Sequence, residues 1–153
     1  MNVEISSEWD NFKHQLVYRK LEFSFATVPK VYGGFSSVLI NDLELEVDDE
    51  GRVICVSGLF PCAEKCEPTF FDPPESKRKR LQFNSDNSWK PGVSVRLNKK
   101  PWDCFFNKST GWLAVGNPNT RPDSQATEFT PNCIAVLEQG LIVAIWLRPT
   151  EGY

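Results

Sequence analysis

Two nearly continuous apolar runs, residues 133–137 and 141–147, flank a tight turn at Gln139 and Gly140. Two extended runs joined by such a turn are typical of a β-hairpin. Because neither run alternates apolar with polar residues, each strand needs apolar cover on both of its faces. The sequence therefore predicts two central strands of a sheet that lies inside the protein.

The composition of the chain also favours sheet. Its 153 residues include thirteen valines and eleven phenylalanines but only six alanines, and β-branched and aromatic side chains pack well on a pleated surface. Further hairpins are predicted with turns at residues 48–51 and 108–111, and further extended segments at residues 16–28, 80–83 and 93–97. We predict a mainly β fold for a single domain over residues 1–153, either an antiparallel β-sandwich or a partly open barrel.

Two other segments depart from this pattern. Ile5, Trp9, Phe12 and Leu16 recur at helical spacing behind Ser6 and Ser7, which predicts a short N-terminal helix. Residues 61–76 contain four prolines and are predicted to form an irregular loop, because proline cannot donate a backbone hydrogen bond. Residues 116–131 are predicted to form a second loop.

Cysteine usage and the absence of export signals bear on location. The chain has five cysteines, an odd number, and its first ten residues lack a basic stretch followed by an apolar one. No apolar run approaches the roughly 20 residues that span a bilayer. These features predict a cytoplasmic protein without a disulfide framework and without a membrane partner.

Few residues suggest catalysis. His14 is the only histidine of the chain, which removes most Ser-His, Cys-His and multi-histidine metal sites. Cys62 and Cys66 lack the second cysteine pair that a structural zinc site normally needs. We therefore expect no metal, no cofactor and no catalytic residue, and keep an enzyme or small-ligand pocket at the mouth of the β-domain as an alternative.

Charge is segregated along the chain although its net value is only −3. Residues 36–75 hold ten acids and two bases, a balance of −8, whereas residues 77–100 hold eight bases and one acid, a balance of +7. Such asymmetry bears on partners and on association rates rather than on the fold. The two blocks either face each other within the protein or face partners.

The acidic block contains four acids that alternate with apolar residues. Asp42, Glu44, Glu46 and Asp48 alternate with Leu43, Leu45 and Val47, so a strand here has one face of carboxylates. Such a face is either simply solvated, as at a sheet edge, or binds a basic protein partner. The second interpretation is our leading hypothesis, with Phe70 and Phe71 as further candidate contacts. One version of it is a bacterial toxin-neutralising immunity protein, an analogy of size and charge that no motif carries.

The basic block mixes cations with aromatic residues, a composition typical of surfaces that bind single-stranded nucleic acid. An isoelectric point of about 5.2 argues against this function, which we keep as an alternative hypothesis. The candidate residues are Lys77, Arg78, Lys79, Arg80, Trp89, Lys99, Lys100 and Trp102.

Overall fold

The computed structural model describes residues 1–9, 12–84 and 89–150. Within these ranges the chain forms β-strands and one 3₁₀ turn at Ala63–Lys65, so the predicted mainly β class is confirmed. The strands are β1 (Asn2–Glu8), β2 (Gln15–Arg19), β3 (Ser24–Val28), β4 (Ser36–Ile40), β5 (Leu43–Val47), β6 (Val53–Leu59), β7 (Glu67–Pro68), β8 (Lys77–Asn84), β9 (Val95–Arg96), β10 (Cys104–Phe106), β11 (Leu113–Gly116), β12 (Gln125–Thr130), β13 (Cys133–Glu138) and β14 (Leu141–Leu147).

These strands belong to two sheets. One has eight strands in the order β1-β8-β12-β13-β14-β11-β10-β7, and the other has six in the order β2-β3-β6-β5-β4-β9. Most neighbours are antiparallel, as predicted, but β7 with β10, β8 with β12 and β4 with β9 are parallel. Both sheets are therefore mixed, and among the described strands neither closes into a barrel.

The predicted central hairpin is confirmed. β13 and β14 lie in the middle of the eight-stranded sheet, and their side chains alternate between two apolar clusters. Ala135 and Leu137 belong to the core that both sheets share. Ile134, Val136 and Trp146 belong to a second cluster on the opposite face, where they are also buried. Both faces of these strands are thus covered, as their apolar runs require.

The chain itself crosses the eight-stranded sheet between β7 and β8. These strands stand six positions apart, a span of at most roughly 29 Å at the usual strand spacing. Residues 69–76, here named the crossing segment, connect them and are long enough for that span, since an extended chain advances about 3.3 Å per residue. The segment contacts the β10–β11 connection, where Asn107 Nδ2 donates to Phe71 O at 2.9 Å and to Asp72 Oδ1 at 3.0 Å.

The prediction of a short N-terminal helix is wrong. Residues 2–8 form β1, where Val3 lies opposite Phe83 and Ile5 opposite Leu81 of β8, and Leu16 belongs to β2; residues 10 and 11 of the predicted helix lie outside the described ranges. Val3 is buried and Ile5 partly buried on the side of β1 that faces the core, opposite the buried Phe83 and Leu81 of β8. Strand pairing with β8 thus outweighs the helical stripe.

Residues 116–131 are not loop throughout either. Gln125–Thr130 form β12, which inserts between β8 and β13 and buries Thr127 and Phe129. The sequence of this strand is short of apolar residues, which explains why the prediction missed it. Residues 61–76 are irregular as predicted, apart from the 3₁₀ turn and the two residues of β7. In the described ranges no helix is long and apolar enough to span a membrane.

Gly58 allows two strands of the six-stranded sheet to approach closely. Its φ is +100°, and a Cβ atom there would lie 2.5 Å from the Asp42 carbonyl oxygen. Gly33 has the same φ, but nothing lies within 4 Å of the position of its Cβ. The two glycines therefore separate the cost of the backbone conformation from the cost of a clash.

We predict that Gly58→Ala lowers the free energy of unfolding by about 2 kcal/mol more than Gly33→Ala does. The shared left-handed conformation costs about 1–3 kcal/mol in both variants, and only Gly58→Ala adds a backbone clash. Urea denaturation followed by circular dichroism measures both values. Equal losses of stability would contradict the close approach at Gly58.

Candidate functional site

A groove lies at one end of the six-stranded sheet. The β2–β3 turn, the β4–β5 turn at Asn41 and Asp42, and the exits of β6 and β9 all meet there. The groove has a volume of about 890 Å³ and is closed on one side by residues 98–104, which lead from β9 to β10. This volume is within the range of sites that bind small molecules. We refer to it as the end groove.

Cations dominate the charge of the end groove. Lys65, Arg96, Lys99 and Lys100 line it, against only Glu22 and Asp42, so its formal charge is +2. Among the described residues none of these cations forms an ion pair within 4.0 Å. An anion that enters the groove thus meets a net positive charge, from cations that pair with no carboxylate within 4.0 Å among the described residues.

The floor of the groove is apolar and accessible. Phe23 is 46% exposed and Leu59 is 55% exposed, and Phe60, Pro61 and Pro101 complete the floor. Hydrogen bonds between backbone groups hold these residues in place: Phe60 N donates to Phe23 O at 2.9 Å, and Leu59 N donates to Asp42 O at 3.0 Å. The end groove therefore offers an apolar surface bordered by positive charge.

A network of amide hydrogen bonds fixes the wall of the groove. Asn41 Oδ1 accepts from Trp102 N at 2.9 Å and from Asn98 Nδ2 at 2.7 Å, while Asn41 Nδ2 donates to Trp102 O at 2.9 Å. Asn98 Nδ2 also donates to Lys100 O at 3.0 Å. These bonds hold the backbone that carries Lys99 and Lys100 in place, which lowers the entropic cost of ordering it on binding.

Cys104 also lines the end groove, next to Cys66. A hydrogen-bonding interaction with Cys66 and a second one with the Asn41 side chain lower the pKa of the Cys104 thiol. The contact with Cys104, followed by burial, raises the pKa of Cys66. Cys104 is therefore the more reactive of the two thiols, because the thiolate is the nucleophile.

The predicted alternation of β5 is confirmed. Leu43, Leu45 and Val47 are fully buried in the shared core, and Glu44 and Glu46 lie half-buried on the other side of the strand. The strand is not at a sheet edge, however, because β4 and β6 flank it. We call Glu44 and Glu46 the acidic face.

Polar contacts engage both carboxylates of the acidic face. Ser37 Oγ donates to Glu44 Oε1 at 3.2 Å, and Cys55 Sγ donates to Glu46 Oε2 at 2.9 Å. Burial, followed by the contact with Glu46, raises the pKa of Cys55 above its ordinary range. Neither carboxylate belongs to an ion pair in the described parts of the chain.

Asp42 and Asp48, the other two acids of the predicted carboxylate face, have different surroundings. Asp48 closes the β5–β6 turn, where its carboxylate accepts hydrogen bonds from the backbone N–H groups of Glu50 and Arg52 and from Arg52 Nε at 2.7 Å. Asp42 lies in the β4–β5 turn and lines the end groove. The four acids therefore do not form one continuous surface.

Phe70 and Phe71 lie on the crossing segment and are 96% and 49% exposed. Asp72 anchors this segment by accepting hydrogen bonds from Asn107 Nδ2 at 3.0 Å and Thr110 Oγ1 at 2.8 Å. The crossing segment joins two strands of the eight-stranded sheet, whereas the acidic face belongs to the six-stranded sheet. The structure therefore separates the two groups of predicted partner-binding residues.

The predicted nucleic-acid-binding residues are divided as well. Lys77, Arg78, Lys79 and Arg80 belong to β8, where the Arg78 guanidinium lies 4.2 Å from the ring centre of Phe12 and that of Arg80 lies 4.6 Å from Trp9. Lys99 and Lys100 line the end groove instead. Trp89 and Trp102 are half-buried against the core.

The acidic and basic blocks of the sequence do not neutralise each other. Of the ion pairs that the described residues form, none joins residues 36–75 to residues 77–100. The Arg78 guanidinium instead meets Glu128 of β12 at 3.3 Å. An intramolecular match therefore does not account for the charge segregation.

Sequence reasoning missed most of the end groove. It named Lys99 and Lys100 as candidate nucleic-acid-binding residues, and it named Asp42 as part of the predicted carboxylate face. It missed Asn41, Asn98 and Cys104, which are remote in sequence and meet only because β9 pairs with β4. An Asn-Asp pair between two apolar runs was the one available signal, since it is typical of a tight hairpin turn.

Similarity to known proteins gives no function for the end groove. No protein-family model, curated protein or solved structure matches the chain. Within the described ranges no three His, Cys, Asp or Glu side chains are placed to hold a metal ion. The chemistry of the lining residues is therefore the basis for assigning a ligand.

Asn41→Gly tests the amide network. Glycine tolerates the φ of +54° at this position but leaves Trp102 N without its acceptor, so we expect the free energy of unfolding to fall by about 2–3 kcal/mol. Asn132→Gly is the matched control, because Asn132 has a φ of +60° and lies outside this network. Similar values for both variants in urea denaturation would contradict a structural role for the Asn41 amide.

Proposed function

We propose that this protein binds a small amphipathic anion in the end groove, with a carboxylate, sulfate or phosphate group joined to an apolar body. The observation that carries the proposal is the set of four cations around an exposed apolar floor, none of them in an ion pair within the described chain. Lys99 and Lys100 would contact the charged group and Phe23 and Leu59 the apolar body. This develops the small-ligand alternative of the sequence analysis.

The arrangement favours binding over catalysis. The only histidine of the chain, His14, hydrogen-bonds to Pro29 O at 3.0 Å and does not line the groove. The charged residues that do line it are mainly lysines and an arginine, which attract an anion. A ligand held by charge on an apolar floor loses affinity as salt rises.

The first experiment compares two ligands that share the same apolar body and differ in whether they carry an anionic group. 2-Naphthyl phosphate carries the anionic group and 2-naphthol does not, so we expect the phosphate to bind more tightly and its affinity to fall with added salt. The Lys99→Glu/Lys100→Glu variant should bind the phosphate about tenfold more weakly, a loss of about 1.4 kcal/mol in binding free energy. Isothermal titration calorimetry measures the dissociation constants.

The matched control is Lys90→Glu/Lys108→Glu. Both lysines are exposed and lie outside the end groove, and the change in net charge is the same. Equal weakening by the two double variants, or equal affinity for the phosphate and the phenol, would contradict the proposal.

A second proposal is the one that led the sequence analysis, a basic protein partner held at the acidic face. It is supported by the lack of any ion pair at Glu44 and Glu46 in the described residues. Phe70 and Phe71 would belong to a different contact, because they lie on the other sheet. The immunity-protein version, the nucleic-acid alternative and a cytoplasmic location stay predictions.

For the second proposal we predict that Glu44→Lys/Glu46→Lys abolishes the capture of a basic protein from native lysate at low salt. Reversing two charges places like charges opposite a basic surface, which slows association. Glu4→Lys/Glu8→Lys on β1 is the control, since these acids are exposed and belong to the eight-stranded sheet, whereas the acidic face belongs to the six-stranded sheet. Capture that survives in the first variant, or that is lost in both, would refute this partner surface.

A further inference from the structure

Cys104 is the first residue of β10, and Cys66 directly precedes β7, the strand that pairs with β10 in parallel. In the β7–β10 pair Phe105 lies opposite Glu67 and Phe106 opposite Pro68. Cys104 and Cys66 precede these residues by one position, and the backbone of Cys66 is still extended, with φ −81° and ψ 153°. The same register therefore places the two cysteines opposite each other, with their side chains on the same side of the pair.

This position suits a disulfide bond. Cα atoms of directly opposed residues on neighbouring strands are about 5 Å apart, and disulfides need Cα atoms about 4.4–6.8 Å apart. Both thiols are only half-buried and pack at the margin of the core, where a small movement is possible. Both are also free in this structure.

We infer that Cys66 and Cys104 are a modification site, a thiol pair that is oxidised to a disulfide by an anionic low-molecular-weight disulfide entering through the end groove. The preference for an anionic reagent rests on the proposed function, whereas the pairing of the two thiols does not. Glutathione disulfide is a reagent of this class, since each half carries two carboxylates and one ammonium.

The order of the two steps follows from the environments of the thiols. Cys104 lines the groove, and its thiol has the lowered pKa, so it loses its proton and attacks one sulfur of the reagent. The reagent's S–S bond breaks, a mixed disulfide forms on Cys104, and the departing thiolate takes up a proton. Cys66 then attacks the Cys104 sulfur and expels the second thiol, which receives the Cys66 proton.

The electrons balance without another reactant. Two protein thiols and one reagent disulfide give one protein disulfide and two free thiols, so two electrons pass from the protein to the reagent.

The remaining cysteines compete poorly. Cys55 and Cys133 are 3% and 0% exposed, and burial raises the pKa of Cys133 to about 12. Cys62 is the one half-buried alternative, on the other side of the 3₁₀ turn.

The experiment exposes the folded protein to glutathione disulfide and follows it by intact mass and peptide mapping. We expect a loss of two hydrogens per molecule and a linked peptide pair containing Cys66 and Cys104. Cys66→Ser should stop at one glutathione on Cys104, and Cys104→Ser should leave Cys66 unmodified. Cys62→Ser is the matched control and should behave as the unaltered chain.

Other outcomes overturn the inference. These are a disulfide that contains Cys62, a mixed disulfide on Cys66 in the Cys104→Ser variant, or no reaction in a sample whose circular dichroism shows it folded. Cystamine, a cationic disulfide, separates this inference from the proposed function. We expect it to react about tenfold more slowly than glutathione disulfide. Equal rates that still yield the Cys66–Cys104 bond would contradict the anion preference of the groove but uphold the thiol pair.

Discussion

The apolar character of both faces of β13 and β14 is the constraint on which the rest of the structure depends. One face is covered by the six-stranded sheet, whose buried side chains Leu43, Leu45 and Val47 belong to the same core as Ala135 and Leu137. The other face needs separate cover, because apolar area left in water costs roughly 25 cal/mol per Å². On that face Ile134, Val136 and Trp146 are buried in a second apolar cluster together with Trp112, which directly precedes β11.

The same architecture creates the end groove. Packing against the eight-stranded sheet occupies one face of the six-stranded sheet, so the turns at its end remain accessible and carry the polar and cationic residues. Asn41 is central, because it serves both as the left-handed residue of the β4–β5 turn and as the hydrogen-bonding partner of Trp102. A local requirement of the hairpin and the shape of the groove are therefore met by one side chain.

Local patterns predicted much of the fold and little of the site. The apolar runs of β13 and β14 and the alternation of β5 are signals within a few residues, and both predictions are confirmed. The stripe Ile5, Trp9, Phe12 and Leu16 misled, because pairing with β8 decides the conformation of residues 2–8 and is not encoded nearby. Asn41 and Asn98 are 57 residues apart, and Cys66 and Cys104 meet only through a parallel pair. Long-range pairing of this kind leaves no trace in a sequence window.

The crossing segment also sets the order in which the chain can complete its fold. The strands that lie between β7 and β8 in the sheet, β10 to β14, all follow it in the sequence, so a ribosome releases the segment before it releases those strands. Asp72 then cannot form the hydrogen bonds that anchor the segment until Asn107 and Thr110 have emerged. The eight-stranded sheet is consequently a structure that only the nearly complete chain can form, and its many contacts between distant residues are typical of slow folding.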